Sequence, residues 1–328
     1  MQERFEIDSI HSSSPVDGRA IDRRRCGRLC PRGRPWALCA GLLITVISSG
    51  CGGHHAEVND PLASIPIDVK LEDMLPTPII ETWRNPAAEQ DGSSRLPSVR
   101  PAVGATHVFL GYEDQLEALR ARDGSLAWRF EAGSPLTVAP VPAGETVVVG
   151  TRDAILWVSA GKGEVTARLP VAAPPVAMMS TATGQLLYAD TTHLQSGDFS
   201  GQRWQLQLPQ VTAIAATADG TVAYASTAIG ALVAVDVGTG AELWRYVTEE
   251  DARMTKAAVG RRLVYVAGTD NKLVALAADN GRLKWTRDLA IDVVSSPVLV
   301  EPLVWVAGFD AILHGINSGN GTETFTLG

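Results

Sequence analysis

No cysteine follows Cys51 in this 328-residue chain, so no disulfide framework can staple its body. No compact Lys/Arg run follows residue 50, where 20 basic residues face 31 acidic ones. A surface of that sign repels phosphate backbones, which argues against a nucleic-acid partner. The apolar run at residues 36–47 stops at twelve positions, short of the ~20 that a helix needs to cross ~30 Å of hydrocarbon. Neither a phosphate-binding loop (G-x-x-x-x-G-K-[ST]), nor a nucleophile elbow (G-x-S-x-G), nor a zinc-protease helix (H-E-x-x-H) is present. What remains is 45% hydrophobic and 20% charged, with 31 glycines and 19 prolines. That composition suits one large all-β domain with many turns.

The first fifty residues read as an export signal. Arg23, Arg24, Arg25, Arg28, Arg32 and Arg34 precede the apolar run, and Ser48, Ser49 and Gly50 follow it before Cys51. This is the charged, apolar and small-residue order of a secretory peptide. The long stretch ahead of the run leaves open a start downstream of Met1. Ser49-Gly50-Cys51 resembles the lipobox of bacterial lipoproteins, although Ser48 stands where Leu is usual. The resemblance implies a signal peptide over 1–50 and acylation of Cys51, and Gly52, in place of an Asp, favours the outer membrane. Residues 51–75 then form a lipidated, polar tether. Cys26 and Cys30 form a pair without a second ligand pair, and His54-His55 has no third ligand in sight, so neither reads as a zinc site.

Beyond the tether the chain repeats. Gly124, Gly163, Gly201, Gly240, Gly281 and Gly321 stand 39, 38, 39, 41 and 40 residues apart. Within each copy, short β-branched and aliphatic runs with period two lie between Gly, Asp and Asn turns. Asp123-Gly124, Asn280-Gly281 and Asn320-Gly321 have the composition of tight hairpins, because glycine accepts a positive φ. Each copy reads as four antiparallel strands, the first opening near a Ser-Pro such as Ser296-Pro297. Four-stranded units repeated every forty residues indicate an all-β fold, a β-propeller over 76–328.

Ala234-x-Asp236-x-x-Thr239-Gly240-x-x-x-Trp244 is similar to the tryptophan-docking motif of PQQ-like repeats. The resemblance implies that Trp244 packs on the glycine turn of the adjacent blade. It gives the same structural role to Trp83, Trp128, Trp204, Trp285 and Phe325, with Gly124, Gly240, Gly281 and Gly321 as docking turns. Ala167 and Trp204, the latter one place early, depart from the pattern. The seams they serve are expected to be the weakest, since a lost buried aromatic costs about 3–5 kcal/mol. The count is six blades and a spare strand at Trp83, against eight in the best-known families. A seven- or eight-bladed ring, or an incomplete one, stays open.

Quinoprotein dehydrogenases share the repeat, but their adjacent-cysteine disulfide is impossible here. His107, His193 and His314 lack triad-like neighbours in sequence. Asp114, Asp153, Asp270 and Asp310 recur about forty residues apart, and turn chemistry is sufficient reason for them. No catalytic residue, metal site or cofactor is assigned. Ser296-Pro297-Val298-Leu299 and Leu313-His314-x-Ile316-Asn317 are similar to the final repeats of the BamB family of barrel-assembly lipoproteins. That resemblance implies a lipid-anchored periplasmic scaffold that binds the barrel-assembly machinery. The expected partner face joins those four aspartates with the loop Glu249-Glu250-Asp251. A quinone-dependent enzyme, or an envelope propeller with an unrelated partner, is the alternative.

Overall fold

The computed structural model describes residues 97–249, 252–289, 291, 293 and 295–327. They form six four-stranded antiparallel sheets, the blades of a β-propeller, with no helix among them. The first blade is β1 (Ala102–Val103), β2 (His107–Tyr112), β3 (Gln115–Arg120) and β4 (Leu126–Glu131). The second is β5 (Val141–Ala143), β6 (Thr146–Gly150), β7 (Ala154–Ser159) and β8 (Val165–Pro170). The third is β9 (Ala177–Ser180), β10 (Leu186–Ala189), β11 (His193–Asp198) and β12 (Gly201–Gln207). The fourth is β13 (Val211–Ala216), β14 (Val222–Thr227), β15 (Ala231–Asp236) and β16 (Glu242–Val247). The fifth is β17 (Ala258–Val259), β18 (Leu263–Ala267), β19 (Lys272–Ala277) and β20 (Leu283–Asp288). The sixth is β21 (Val298–Val300), β22 (Leu303–Ala307), β23 (Leu313–Asn317) and β24 (Glu323–Leu327). First strands pack on first strands from blade to blade, β1 on β5, β5 on β9, β9 on β13, β13 on β17 and β17 on β21.

The two-residue period holds on the outer strands and fails on most of the middle ones, among them β6, β10, β15, β18 and β19. In β16 burial alternates, with Trp244 buried between exposed Leu243 and Arg245. In β15 five successive residues are buried, because neighbouring blades cover both of its faces. Five apolar cores result, one at each seam between consecutive described blades.

Four of those seams are closed by a tryptophan. A Cβ placed on Gly163, Gly240, Gly281 or Gly321 would lie 2.8, 2.5, 2.5 or 2.7 Å from the ring of Trp128, Trp204, Trp244 or Trp285. Each indole reaches from one blade to the next and donates to a carbonyl there. Trp128 bonds Ala160 at 2.9 Å, Trp204 bonds Val237 at 2.8 Å, Trp244 bonds Ala278 at 2.9 Å and Trp285 bonds Ser318 at 3.1 Å. The glycines must be glycines on two counts, positive φ (+69° to +77° at these four positions) and the ring pressed against them. The turn chemistry follows from the motif. Asp236 accepts from the backbone N–H and hydroxyl of Thr239 at 2.8 and 2.7 Å, and the Gly240 N–H returns to the Asp236 carbonyl at 2.8 Å. These are four-residue loops rather than the two-residue hairpins that Asn-Gly and Asp-Gly suggest. In every blade the third-to-fourth strand pairing slips just beyond the position held by Trp244, a bulge that adds twist and re-aims the strand there.

Trp204 is in register after all. It pairs with Ser196 as Trp244 pairs with Ala234, and the missing residues lie in the preceding turn. Asp198 pairs directly with Gly201, so this turn is Phe199-Ser200 alone and Gly201 stands in the place of Ala241, not of Gly240. The third blade therefore has no docking glycine, and equal spacing concealed the deletion. Phe325 holds the corresponding register on β24 and meets Trp305 of its own blade in a tilted ring contact at 6.3 Å. Cys51, Trp83 and the tether lie outside the described residues, as do Glu250 and Asp251.

Candidate interaction site

The turns between second and third strands share a face with the connections between blades, because each connection hydrogen-bonds the turn it passes. Ala132 N–H donates to Asp114 O at 2.7 Å, Val171 to Asp153 at 3.1 Å, Thr248 to Gly230 at 2.9 Å and Leu289 to Asn271 at 2.9 Å. Exposed Glu249 follows Thr248 at the fourth blade's turn, and Arg253 stands at the fifth blade's turn, where its carbonyl accepts from the Thr269 N–H and its own N–H donates to the Thr269 hydroxyl, both at 3.1 Å. Buried Ala252 and Met254 flank Arg253. Thr248 and Arg253 thus stand at two adjacent turns on that face.

Three of the four aspartates on this face are spent on their own turns. Asp310 accepts from Ile312 N–H at 3.1 Å, and Asp270 from Lys272 N–H at 3.3 Å with its ammonium 3.7 Å away. Asp153 bonds Thr151 at 3.2 Å and pairs with Arg168 at 2.6 Å. A hydrogen bond from Ser134 is the largest of the effects holding its pKa below the usual value. Asp114 gives its carbonyl. Asp190 does the same work in the third blade, 37 residues after Asp153. Burial works against its charge, yet bonds from Thr192 and His193 keep the pKa below normal. Among the described residues no cluster of His, Cys, Asp or Glu is placed to hold a metal. The apolar contribution to this face is Phe309, 80% exposed beside Asp310, with Ile229 in the fourth blade's turn.

The three histidines stand apart. His107 and His193 bond the neighbouring threonine hydroxyls at 2.9 and 2.7 Å. His314, on β23, is buried with a carboxylate at each ring nitrogen, Glu323 at 2.7 Å and Asp310 at 2.9 Å. Arg287 of the fifth blade reaches Glu323 at 3.1 Å, so this network ties two blades together. Sequence gave no sign of it, because the partners lie on two other elements brought in by register. Neither ring nitrogen is free to take a substrate's proton, so the cluster is an ionic tie and not a base.

Its charges set a pH window. Burial disfavours the His314 imidazolium, but hydrogen bonds to Glu323 and Asp310 outweigh it, and the pKa rises above 6.5. The bond from His314 is the main cause holding Asp310 and Glu323 below 3.8 and 4.5. A raised histidine pKa adds stability in full below 6.5 and loses it as pH climbs through the folded value. The depressed carboxylates add theirs above 4.5 and lose it as pH falls through theirs. The melting-temperature gap between the native chain and His314→Gln is therefore expected to be widest between about pH 4.5 and 6.5 and to shrink towards pH 8. A gap that stays constant from pH 5 to 8 would refute the assignment.

Tryptophan-docked four-stranded units define a β-propeller of PQQ-like repeats. A family model described as outer membrane protein assembly factor BamB matches residues 81–257 and 230–327. The chain belongs to that family. Outer membrane protein assembly factor BamB of Yersinia pestis is 24% identical over 269 residues, a match spanning 74% of this chain and 67% of the relative. The protein of the same name from Salmonella typhimurium is 26% identical over 267 residues with the same two coverages. The crystal structure of BamB from Moraxella catarrhalis shares the fold, with a TM-score of 0.61 and 18% identity, covering 72% of this chain and 75% of that one.

Proposed function

We propose that this chain is a lipoprotein, anchored through Cys51 to the periplasmic side of the outer membrane, that serves without catalysis as a scaffold in the assembly of outer-membrane β-barrel proteins. Residues 1–50 are its signal, 51–75 its tether and 76–328 its propeller. The observation that carries the reading is the family match across residues 81–327, whose description and whose relatives bear the name outer membrane protein assembly factor. The partner face is that of Asp114, Asp153, Asp270 and Asp310 with the loop Glu249, Glu250 and Asp251, and Phe309 supplies an aromatic anchor within it. The surplus of 31 acids over 20 bases after residue 50 favours a basic partner surface.

Glu249→Lys, Glu250→Lys and Asp251→Lys together are expected to cut the recovery of barrel-assembly components, crosslinked in intact envelope and purified through this chain, by about tenfold. The loss should deepen at low salt, where exposed charges are least screened. Recovery of every partner at the native level would remove this face from the proposal.

A further inference from the structure

Four seams between blades are closed by a fourth-strand tryptophan docked on a glycine, and the one between the second and third blades is not; the indole that packs against its core, Trp157, stands on the third strand instead. Ala167 occupies the register that Trp128, Trp204, Trp244 and Trp285 hold elsewhere, opposite Trp157 on β7. Across the seam the docking glycine is also missing, because the Phe199-Ser200 turn is two residues shorter than its counterparts. Nothing lies within 4 Å of a Cβ built on Gly201. Both halves of the lock are thus absent at one seam, from positions more than thirty residues apart in sequence. The core there is small to match, with four buried residues, Val148, Ile155, Leu186 and Tyr188, against nine or more at every other described seam.

The space is not filled by collapse. A cavity of about 890 Å³ opens between the two blades, walled by Ala143, Trp157, Ala167, Thr181, Gly197 and Phe199. That lies within the ~300–1,000 Å³ range of small-ligand sites. Its small side chains leave room, and Trp157 and Phe199 offer ring surface, Phe199 being 73% exposed. β8 is the outermost strand of its sheet, and Thr166 on it borders the opening.

We propose that this cleft receives an aromatic side chain carried on an extended polypeptide, which takes in trans the place that tryptophan takes in the four sister seams. The occupant follows from those seams, where an indole lies between the same two strand positions and donates its N–H to the first residue of the facing turn. Here that carbonyl belongs to Phe199, and among the described residues no indole reaches it. Strands of outer-membrane barrels carry aromatic girdles and alternate in hydrophobicity, so an unassembled strand presents such a side chain on extended backbone. An edge such as β8 can pair with that backbone. The identity of the polypeptide rests on the scaffold reading above; the aromatic specificity does not.

The test uses the purified chain and a short Thr/Ser peptide with one central fluorotryptophan, followed by fluorine NMR, with the Leu-for-Trp peptide as a competitor. The tryptophan peptide is expected to bind at one site and to resist displacement by the leucine peptide. Ala167→Trp refills the seam from within, and Thr166→Trp covers the mouth from an exposed position at the loss of one hydrogen bond, from the Thr166 hydroxyl to the Trp157 carbonyl at 3.1 Å. Each is expected to weaken binding at least about tenfold. Absence of binding at millimolar peptide, or undiminished binding to a folded Thr166→Trp variant, overturns the proposal. Peptide binding with no barrel-assembly partner in the envelope would leave the cleft standing and the scaffold reading not; the reverse would remove the cleft alone.

Discussion

Trp244→Ala is expected to cost about 3–5 kcal/mol and to lower the melting temperature by about 10 °C. The ring is buried between the fourth and fifth blades, lies on Gly281, donates to Ala278 and makes a tilted contact at 5.6 Å with Tyr224. Tyr224 bonds the same Ala278 carbonyl at 3.4 Å, and burial is the main reason its phenol pKa is pushed up to about 12. Truncation removes the packing and leaves a void that the two sheets cannot close without moving. Gly281→Ala should be harmful by the opposite route. Its φ is +69° and the added methyl would meet the Trp244 ring at 2.5 Å. With both changes the methyl enters the space the ring has left, so the double variant is expected to lose less than the sum of the two. Strict additivity in chemical denaturation would show that ring and glycine do not act as a lock.

Cys51→Ser is expected to release the chain from the membrane. Each buried CH2 of an acyl chain contributes ~0.8 kcal/mol, so loss of the thiol that carries the chains removes the whole anchor and not a fraction of it. Carbonate-washed membranes should then hold little of the variant, and the mass of the mature native chain should exceed that of its peptide by the acyl groups. A variant that stays with the membrane, or a native chain without added mass, would remove lipidation from the account.

The six-fold repeat was legible because a blade needs the same turn and strand chemistry each time, and Ala234, Asp236, Thr239, Gly240 and Trp244 write it in eleven residues. Where one turn was shortened, spacing misled. Gly201 preserves the period while standing one place beyond the position of a docking glycine, so Trp204 seemed displaced and the open seam at Ala167 seemed one of two. The His314 tie was illegible for another reason. Asp310, Glu323 and Arg287 meet it only through the pairing of β23 with its neighbours and the approach of β20. Phe309 and Phe199 could have been flagged as aromatics inside turn sequences, where a large apolar side chain has no folding role.

The most direct test of the central claim, that this propeller serves the building of outer-membrane barrels, is quantitative proteomics of outer membranes from cells lacking the chain. β-Barrel proteins are expected to fall selectively while outer-membrane lipoproteins hold their level, with recovery on return of the native chain. Barrel levels that match those of unaltered cells would contradict it.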